Sequence, residues 1–480
     1  MPVSSLDYPL DLLARVLHAN LRGSGSAKVV RACTDSRQIQ PGDLFIALAG
    51  ENFDGHHFVQ DVLQRGAVAA VVNPERMAGQ RITSGTLLEV PDPLYTLGRL
   101  AAWHRNRFRV RVVAVTGSVG KTTTKDLVAS VLSRQWNTLK NPGNLNAEIG
   151  LPLTLLQLRA EHEAAVVEMA MRGPGQIRYL AEIARPDVAV ITYIGLSHAE
   201  LLGSQDAIAA AKAEVLDYLP YGGTAVLNGN DRYFRQLAAA VPPGVQVAAF
   251  GTEDMVKDGT SGAYLGIGPR PGERAGEAVG TRFTLRLARG QSVRWAWVPL
   301  LGRHNMSNAL AAAAVGQVLG VSWPRINRGL ADAEISGMRM AVHRLRDGSV
   351  ILDDAYNASS PEAMIGALEV LRELEGLRKI AILGSMLELG AESDAAHQQV
   401  GEVVAQIAPT HLYTVGEGGS RIAESARAAG YADDAITNCG DNAEALAEYS
   451  PRRRAGDVIL VKGSRGVAME AVVQGLRGVA

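Results

Sequence analysis

The chain has little cysteine and almost no net charge, and each shortage excludes a class of protein. Its 480 residues include only two cysteines, Cys33 and Cys439, which lie far apart in the sequence. Such a pair predicts no disulfide framework and fits a reducing, cytoplasmic environment. With 48 basic and 49 acidic residues the net charge is −1, which argues against a general nucleic-acid binder or a membrane-surface protein.

Long apolar runs and targeting signals are also missing from the sequence. No stretch approaches the roughly 18 unbroken apolar residues of a membrane-spanning helix, so we expect no stable membrane insertion. The first residues, MPVSSLDYPLDLLARVL, lack a basic region followed by an apolar core, so we expect no signal peptide. What is present, 47% hydrophobic residues in a chain of 480, predicts about three globular domains.

Short apolar segments alternate with helical patterns along most of the chain, which predicts an α/β protein. Residues 1–95 are predicted to form a small mixed α/β domain, and residues 96–332 a central domain with a mostly parallel sheet. Residues 333–480 repeat the pattern and are predicted to form a doubly wound, Rossmann-like domain. The stretch 257–280, rich in glycine and proline, is expected to be a surface loop or a hairpin insertion.

A phosphate-binding turn is the most informative motif. The run AVTGSVGKTTTKDL at 114–127 follows an apolar stretch and opens a predicted helix. The backbone N–H groups of such a turn and the positive end of the helix bind phosphate, Lys121 can reach the outer phosphates, and the Thr122 hydroxyl can bind Mg²⁺. We therefore predict a nucleoside triphosphate site at Gly117, Ser118, Val119, Gly120, Lys121, Thr122 and Thr123.

This turn departs from the general phosphate-loop pattern, because Val115 stands where that pattern has its first glycine. The alternative is a glycine-rich turn with an incidental lysine. We favour the nucleotide site, since the strand, the turn, Lys121 and Thr122 follow one another in the order that the site needs. The shorter form resembles the loop in the superfamily of Mur ligases and folylpolyglutamate synthetases.

Three further residues of the central domain have side chains suited to a metal or a phosphate. Glu168 ends a predicted buried strand, where a carboxylate is costly unless it is paired or bound to a metal. His198 follows the predicted strand 188–194, and Lys212 lies in the helical run AIAAAKAEVLDYL. Each residue has a plainer alternative: a salt-bridged or capping glutamate, a structural histidine and a surface lysine.

Amide side chains mark two other segments as candidate binding positions. Asn144 and Asn146 lie in NPGNLNAEIG and could face a ligand, although Asn is also common in turns. His304, Asn305 and Asn308 stand in RHNMSN at a predicted helix start. There they could meet an adenine or ribose, or simply cap the helix.

Polar residues surround the strand ends of the C-terminal domain, where ligands of open α/β sheets collect. The candidates are Arg339 before the first strand, Asp353, Asp354, Tyr356 and Asn357 after it, and Lys462, Ser464 and Arg465 after the last strand. Several such groups in one domain predict a ligand cleft more strongly than any one of them does.

Five blocks of sequence, in this order, resemble the Mur ligase family. They are TDSRQIQPGDLFIALAGENFDGHHF (34–58), NPGNLNAEIGLPLTLL (141–156), DDAYNASSPEAM (353–364), LGSMLELG (383–390) and KGSRGVAME (462–470). The first block resembles the UDP-binding signature of the tripeptide- and pentapeptide-forming members, and the later blocks resemble the member that adds D-alanyl-D-alanine. The match covers nearly the whole chain. Ala147, Ser359 and Ser385 differ from the family pattern, which leaves their roles open.

The resemblance implies a catalytic set of Lys121, Glu168, His198, Lys212 and Arg339. Lys121 and Thr122 would hold the phosphates of ATP and a first Mg²⁺, with Glu168 as co-ligand. His198 and a carbamylated Lys212 would serve a second Mg²⁺.

The resemblance also implies contacts to the rest of the nucleotide and to the substrates. Asn305 and Asn308 would lie near the adenine, and Arg339, Asp353 and Tyr356 would approach the nucleotide from the third domain. Ser36 and Arg37 would help bind the UDP moiety. Further substrate contacts would come from Asn144, Asn146, Asn357, Lys462, Ser464 and Arg465.

The implied activity is that of an ATP-dependent amide ligase in cytoplasmic peptidoglycan precursor synthesis, expected to be a monomer. ATP would phosphorylate the terminal carboxylate of UDP-N-acetylmuramoyl-tripeptide, and the amine of D-alanyl-D-alanine would attack the acyl phosphate. Whether the third residue of the tripeptide is diaminopimelate or lysine stays open.

Three alternatives compete with this interpretation. A ligase that adds diaminopimelate or lysine to UDP-N-acetylmuramoyl-dipeptide should carry a DNPR-like run where this chain has DDAYNAS. A folylpolyglutamate synthetase would lack the UDP-binding first domain. The third alternative is a non-catalytic, nucleotide-dependent scaffold. Such a protein would not need Glu168, His198 and Lys212 in addition to Lys121.

Overall fold

The structure is a computed structural model of the chain. It describes residues 6–50, 53–80, 82–143, 145–197, 199–252, 262–274, 278–287, 293–337, 339–358 and 360–478. The chain forms two compact units. The first contains Met1–Ala114, Trp136–Met171 and Gly175–Asp187, and the second contains Val115–Gln135, Arg172–Pro174 and Val188–Ala480. None of the helices in the described ranges has the length and apolar character of a membrane span.

The N-terminal segment folds around a five-stranded sheet of the first unit. Its elements are β1 (Tyr8–Pro9), α1 (Leu10–Leu17), β2 (Asn20–Arg22), β3 (Lys28–Val29), β4 (Arg31–Cys33), β5 (Asp43–Ile46), α2 (Val59–Gln64), β6 (Ala69–Val72), β7 (Leu87–Glu89) and α3 (Pro93–Arg105). The strand order is β2–β7–β6–β5–β4, in which β2 is antiparallel to β7 and the other neighbours are parallel. Every residue of β5 and β6 is buried, as expected for parallel strands covered on both faces.

The middle of the chain alternates strands and helices. Its elements are β8 (Arg111–Thr116), α4 (Lys121–Leu132), β9 (Thr138–Lys140), α5 (Gly150–Leu155), β10 (Ala164–Glu168), α6 (Gln176–Ala184), β11 (Val188–Ile191), α7 (Ala199–Leu202), α8 (Gln205–Ala213), β12 (Thr224–Asn228), α9 (Phe234–Ala239), β13 (Gln246–Thr252), β14 (Gly262–Arg274), β15 (Ala278–Leu287), β16 (Val293–Val298), α10 (Arg303–Val318) and α11 (Trp323–Ala331). In the first unit β9 and β10 are parallel. In the second unit β11, β12, β13 and β14 are parallel neighbours, and β14, β15 and β16 pair antiparallel. Of the two alternatives for 257–280, a surface loop or a hairpin insertion, the described residues favour the hairpin, because β14 and β15 pair antiparallel; residues 257–261 and 275–277 lie outside the described ranges.

Helices α10 and α11 pack closely on α4, the helix that follows the phosphate-binding turn. A Cβ on Gly316 of α10 would lie 2.8 Å from Val131 Cγ1, and a Cβ on Gly329 of α11 would lie 2.5 Å from Val131 Cα. The Ser130 hydroxyl donates a hydrogen bond to the Gly329 carbonyl at 2.7 Å. Glycine at these two positions allows the backbones of α10 and α11 to approach α4 closely. This packing holds α4 in place.

The C-terminal segment forms a six-stranded sheet of the second unit with helices on both faces. Its elements are β17 (Ala341–Arg344), β18 (Val350–Asp354), α12 (Pro361–Glu373), β19 (Arg378–Gly384), α13 (Ser393–Ile407), β20 (His411–Val415), α14 (Gly416–Ala428), β21 (Ile436–Cys439), α15 (Asn442–Tyr449), β22 (Asp457–Lys462) and α16 (Glu470–Leu476). Only β17 is antiparallel, and the order β18–β22–β19–β20–β21 is parallel throughout. Short 3₁₀ helices cover Ser36–Gln38, Gly55–Phe58, Glu214–Tyr218, Gly390–Glu392, Asp433–Ala435, Ser450–Arg452 and Arg465–Val467.

Alternating side chains divide the core of this sheet into two clusters. Leu352 and Leu460 belong to the cluster that includes α12 and α13, whereas Ile351 and Ile459 belong to the cluster that includes α15 and α16. Successive residues of a strand point to opposite faces, so an unbroken apolar strand supplies both cores. The predicted α/β class with a mostly parallel central sheet and a doubly wound C-terminal sheet is confirmed. The bounds 1–95, 96–332 and 333–480 stay a prediction.

A buried histidine links distant segments of the first unit. The Tyr8 hydroxyl lies 2.9 Å from His104 Nδ1, and His104 Nε2 lies 3.0 Å from the Leu158 carbonyl oxygen. Burial lowers the pKa of His104 to about 4, with a smaller contribution from Arg107. The neutral ring then donates from Nε2 to Leu158 and accepts at Nδ1 from Tyr8.

His104 should make the stability of the protein depend on pH. The unfolded chain binds a proton at this residue below about pH 6.5 and the folded chain only near pH 4, so stability is full above pH 6.5 and falls as the pH drops toward 4. At pH 5 the loss is about 2 kcal/mol. Urea unfolding at pH 7.5 and pH 5 should show a smaller pH-dependent loss in His104→Gln than in the wild type; equal losses would contradict the assignment.

Candidate active site

The phosphate-binding turn joins β8 to α4 and is fixed to the residues that follow β11. The Ser118 N–H donates to the Tyr193 carbonyl oxygen at 2.6 Å, and the Thr192 hydroxyl donates to the Val119 carbonyl oxygen at 2.6 Å. The Ser118 hydroxyl donates to the Gly195 carbonyl oxygen at 3.0 Å. These bonds hold the turn in one conformation before any phosphate binds.

Two glycines of the turn have no room for a side chain. Gly117 has φ 142°, and a Cβ there would lie 2.0 Å from Thr192 Oγ1. Gly120 has φ 86°, and a Cβ there would lie 2.5 Å from Asn308 Oδ1. Both backbone conformations are unfavourable for residues other than glycine. The sequence therefore needs glycine at both positions for two independent reasons.

Lys121 and Thr122 start α4 directly after the turn. The Lys121 ammonium donates hydrogen bonds to the carbonyl oxygens of Gly117 and Ser118 at 2.9 and 3.1 Å. Its side chain therefore folds back over the turn. The Thr122 hydroxyl oxygen accepts a hydrogen bond from the Arg339 guanidinium at 3.0 Å. Arg339 also lies over the Tyr356 ring, 5.0 Å from its centroid. The structure thus brings Arg339 to Thr122 and Tyr356 to Arg339, and their contacts with a nucleotide stay a prediction.

Lys212 on α8 is not a surface lysine. Its side chain is 1% exposed. Burial lowers the pKa of Lys212 far below its usual value, and the neighbouring Lys121 ammonium lowers it further. Burial and the neighbouring ammonium thus favour the neutral amine of Lys212, which is the form that can act as a nucleophile. His198, the other predicted ligand of a second metal ion, lies outside the described residues.

Glu168 ends β10 in the first unit and is 1% exposed. Its Oε1 accepts from the Asn146 side-chain amide at 2.7 Å, and its backbone N–H donates to Asn141 Oδ1 at 2.9 Å. Among the described residues, its buried Oε2 has no hydrogen-bond partner. A buried carboxylate oxygen without a donor is suited to a cation, so the residue fits a role as a Mg²⁺ ligand.

Asn141 is a site residue that the sequence analysis missed, although it begins the same NPGN run as Asn144. Asn144 itself lies outside the described residues. In the part of the chain that the structure describes, no group of three or more His, Cys, Asp or Glu side chains is arranged so that it could hold a metal ion.

The predicted UDP contacts Ser36 and Arg37 lie in a 3₁₀ helix of the first unit. The Arg37 side chain is exposed and forms an ion pair with Asp35 at 2.9 Å. Hydrogen bonds from Arg37 hold the pKa of Asp35 below its usual value. The Ser36 carbonyl oxygen accepts from the Arg65 guanidinium at 2.8 Å, which adds a second cation that the sequence analysis did not find.

The strand ends of the C-terminal sheet carry a polar network. Lys462 donates to Asp354 Oδ2 at 2.5 Å and to the Asn357 carbonyl oxygen at 2.9 Å. The Ser464 hydroxyl donates to the Ala358 carbonyl oxygen. Lys462 and Ser464 therefore hold the loop after β18 in place.

Asp353 and Arg465 of the same domain have different partners. Asp353 is buried and lies 3.2 Å from His343 Nε2, so its carboxylate has a partner within the domain. Arg465 lies over the ring of Tyr356 at 5.4 Å from its centroid, on which Arg339 also lies. Tyr356 thus contacts two guanidinium groups.

Taken with an α/β fold, the glycine turn and Lys121 are typical of a nucleotide-dependent enzyme. Family models agree with this class in three segments. The Mur ligase family catalytic domain matches residues 30–95, the Mur ligase middle domain matches 115–316, and the Mur ligase glutamate ligase domain matches 338–465. The chain belongs to the Mur ligase family.

Individual relatives match over nearly their full lengths. A UDP-N-acetylmuramoyl-tripeptide–D-alanyl-D-alanine ligase of Synechocystis is 37% identical over 94% of this chain and 93% of its own. A solved structure of MurF from Acinetobacter baumannii has a TM-score of 0.88 at 30% identity, covering 99% of this chain and all of its own. A Thermotoga maritima MurF in complex with ADP has a TM-score of 0.80 at 29% identity, covering 94% of this chain and 97% of its own. The predicted family, ligase class and ATP-binding character are confirmed.

The alternative ligase shares the fold alone. A structure of UDP-N-acetylmuramoyl-L-alanyl-D-glutamate–2,6-diaminopimelate ligase has a TM-score of 0.54 at 16% identity, covering 98% of this chain and 99% of its own. The main interpretation is therefore favoured over the alternative of a diamino-acid-adding ligase.

Substitution of Gly117 should disable the nucleotide site without unfolding the protein. A methyl group there overlaps the Thr192 hydroxyl, so the turn must move, and we expect ADP affinity in Gly117→Ala to fall by at least about tenfold. Gly222→Ala is the matched control, because Gly222 also has a positive φ but nothing lies within 4 Å of its Cβ position. Calorimetry with ADP measures both; wild-type affinity in Gly117→Ala would show that the turn does not bind phosphate.

Proposed function

We propose that the chain is the ATP-dependent ligase that joins D-alanyl-D-alanine to UDP-N-acetylmuramoyl-tripeptide. The observation that carries the proposal is the near-full-length similarity to enzymes of that name, 37% identical over 94% of the chain. The prearranged phosphate turn supports it, because that chemistry begins with ATP.

The reaction needs two bond-forming steps. The terminal carboxylate of the tripeptide attacks the γ-phosphorus of ATP, which forms an acyl phosphate and releases ADP. The amine of D-alanyl-D-alanine then attacks the acyl carbon, phosphate leaves, and the amine proton is lost. The product is an amide bond, and water must be kept from the acyl phosphate in the meantime.

Several groups of this chain can stabilise the negative charge that builds up on the phosphate oxygens in the first step. The N–H groups of the turn and the N-terminus of α4 favour anionic phosphate oxygens. Lys121 already lies across the turn and can redirect its donors from the carbonyl oxygens of Gly117 and Ser118 to phosphate. Arg339, held at Thr122, supplies a second cation beside the turn.

We propose Mg²⁺ as the cofactor, because hydroxyl and carboxylate oxygens are the ligands that this ion prefers. We propose the Thr122 hydroxyl and the Glu168 carboxylate as ligands, and His198 and a carbamylated Lys212 for a second ion. Bound Mg²⁺ would neutralise phosphate charge. A neutral amine is the form of lysine that reacts with carbon dioxide, so the buried state of Lys212 supports its carbamylation.

The remaining substrate contacts are proposed from the resemblance. Ser36 and Arg37 would contact the UDP moiety. Asn144, Asn146, Asn357 and Arg465 would face the peptide substrates, whereas Lys462 and Ser464 would act by holding the loop after β18. We place the enzyme in the cytoplasm as a monomer that makes a peptidoglycan precursor.

A coupled assay tests the proposed function. The purified protein should release phosphate from ATP with UDP-N-acetylmuramoyl-tripeptide and D-alanyl-D-alanine together, and mass spectrometry should show the pentapeptide product. Omitting D-alanyl-D-alanine should abolish product. If the protein instead takes UDP-N-acetylmuramoyl-dipeptide and adds free diaminopimelate or lysine, the alternative ligase is correct.

Lys212 should be needed as a carbamate and not as an ammonium. An ammonium would repel Mg²⁺, whereas a carbamate supplies oxygen ligands, so Lys212→Ala should lower kcat by at least about tenfold and recover partly with added acetate. Carbon-13 NMR with labelled bicarbonate should show a carbamate signal in the wild type that Lys212→Ala lacks. Lys28→Ala, at an exposed lysine, serves as the control. Wild-type turnover in Lys212→Ala, without a response to acetate, would remove Lys212 from the site.

A further inference from the structure

The connector between α11 and β17, residues 332–340, carries Arg339 to Thr122. Two hydrogen bonds place this connector along α4. The Ser336 N–H donates to Asp126 Oδ2 at 2.8 Å, and the Arg339 guanidinium donates to the Thr122 hydroxyl oxygen at 3.0 Å. Thr122 and Asp126 are four residues apart in one helix, so they lie on the same face of α4, about one turn apart. The connector therefore runs along that face and contacts it at two points.

Asp126 is a buried carboxylate on the helix whose N-terminus follows the phosphate-binding turn. It is 1% exposed, and its Oδ1 lies 3.5 Å from Lys125 Nζ. A carboxylate near a phosphate site disfavours a bound anion, and its burial is costly unless its partners stabilise it. Phosphate binding by the turn therefore does not account for an acid at this position, whereas the bond from Ser336 gives the acid a structural role.

The C-terminal end of the connector is fixed by a second carboxylate. The Met340 N–H donates to Asp354 Oδ1 at 3.1 Å, and Asp354 also accepts from Lys462. Met340 has φ 54°, a conformation that residues with a side chain rarely adopt, and its side chain is 3% exposed within the core of the C-terminal sheet. Arg339 thus lies between two anchored residues, Ser336 and Met340.

The guanidinium group of Arg339 is suited to an anionic ligand. It contacts Thr122 on one side and the ring of Tyr356 on another, 5.0 Å from the ring centroid. Among the described residues, its buried Nε has no hydrogen-bond partner. A buried donor without an acceptor costs free energy, and an anionic phosphate oxygen would satisfy it. A shift of the connector would move this donor, so the bond at Asp126 can control what Arg339 contacts.

We propose that Asp126 is a positioning residue, which holds the connector so that Arg339 contacts the phosphates of bound ATP. This rests on the proposed function only in requiring that the site bind ATP and that Arg339 contact it. Asp126 acts through the backbone of Ser336 and then through Arg339. Loss of its carboxylate should therefore weaken ATP binding only while Arg339 is present.

A double-mutant cycle tests this dependence on Arg339. Calorimetry measures the Kd for a non-hydrolysable ATP analogue with Mg²⁺ in the wild type, Asp126→Ala, Arg339→Ala and the double variant. We expect Asp126→Ala to raise the Kd about tenfold in the wild-type background and less than about twofold in the Arg339→Ala background. A residue that only stabilised α4 would raise the Kd by the same factor in both backgrounds.

Hydrogen exchange gives a readout that needs no nucleotide. Because the Ser336 N–H donates to Asp126, its exchange depends on how firmly the connector is held on α4. Peptides that contain Ser336 should exchange at least about threefold faster in Asp126→Ala than in the wild type.

Asp457→Ala is the matched control, since Asp457 is also a fully buried aspartate that accepts a backbone N–H, from Arg454 at 3.0 Å. It lies at the opposite end of β22 from Lys462, so its loss should lower stability without changing the Kd for the analogue.

Asp126→Asn is a second variant, which keeps an acceptor oxygen but loses the negative charge. Hydrogen bonds to a charged acceptor are the stronger ones, so we expect the Kd for the analogue to rise about threefold, again only while Arg339 is present. Thermal unfolding shows which variants are folded, and Asp126→Asn decides the matter if Asp126→Ala does not fold.

Three results would overturn the proposal. Wild-type affinity in folded Asp126→Ala would show that the carboxylate does not act on ATP binding. An equal rise of the Kd in both backgrounds would show that it acts through α4 and not through Arg339. Unchanged exchange at Ser336 would show that Asp126 does not hold the connector. Failure of the wild type to bind the analogue at all would instead contradict the proposed function, so the two failures are distinguishable.

Discussion

The close approach between the phosphate turn and Thr192 is the constraint on which the rest of the site depends. The Thr192 hydroxyl donates to the Val119 carbonyl oxygen and lies where any side chain at Gly117 would have to go. This contact fixes the turn to the segment after β11, so the backbone N–H groups are arranged before a phosphate arrives. Prearranged donors need not be reorganised during the reaction, which is why such a turn can stabilise developing charge.

Charge is the second organising feature of the second unit. Lys121 and Lys212 are close enough for the ammonium of one to lower the pKa of the other, and burial lowers the pKa of Lys212 much further. Arg339 adds a third basic side chain at Thr122. The cationic side chains of Lys121 and Arg339 favour an anionic ligand beside the turn, and the burial of Lys212 favours the form of its amine that adds no further positive charge.

The sequence predicted the turn and the α/β class, because those signals are local. Glycine spacing, a strand before the turn and a helix after it can be recognised without knowledge of the fold. Asn141 and Arg65 were missed because nothing in their immediate sequence shows that their partners are Glu168 and Ser36. Those contacts join segments 27 and 29 residues apart, which only the folded chain brings together.

The sequence by itself determined that this is a Mur ligase, since the motif and its neighbouring blocks are specific to that family, and it predicted a nucleotide site at Gly117–Thr123. Tertiary structure decided what individual side chains do. Lys212 has the sequence context of a surface lysine, but packing removes it from water and thereby lowers its pKa. Asn308 stands near a helix start where a cap or a base contact was expected, and the fold places its side-chain oxygen beside Gly120, where it accepts a hydrogen bond from Thr124. Burial depends on residues remote in the chain, so local sequence cannot specify it.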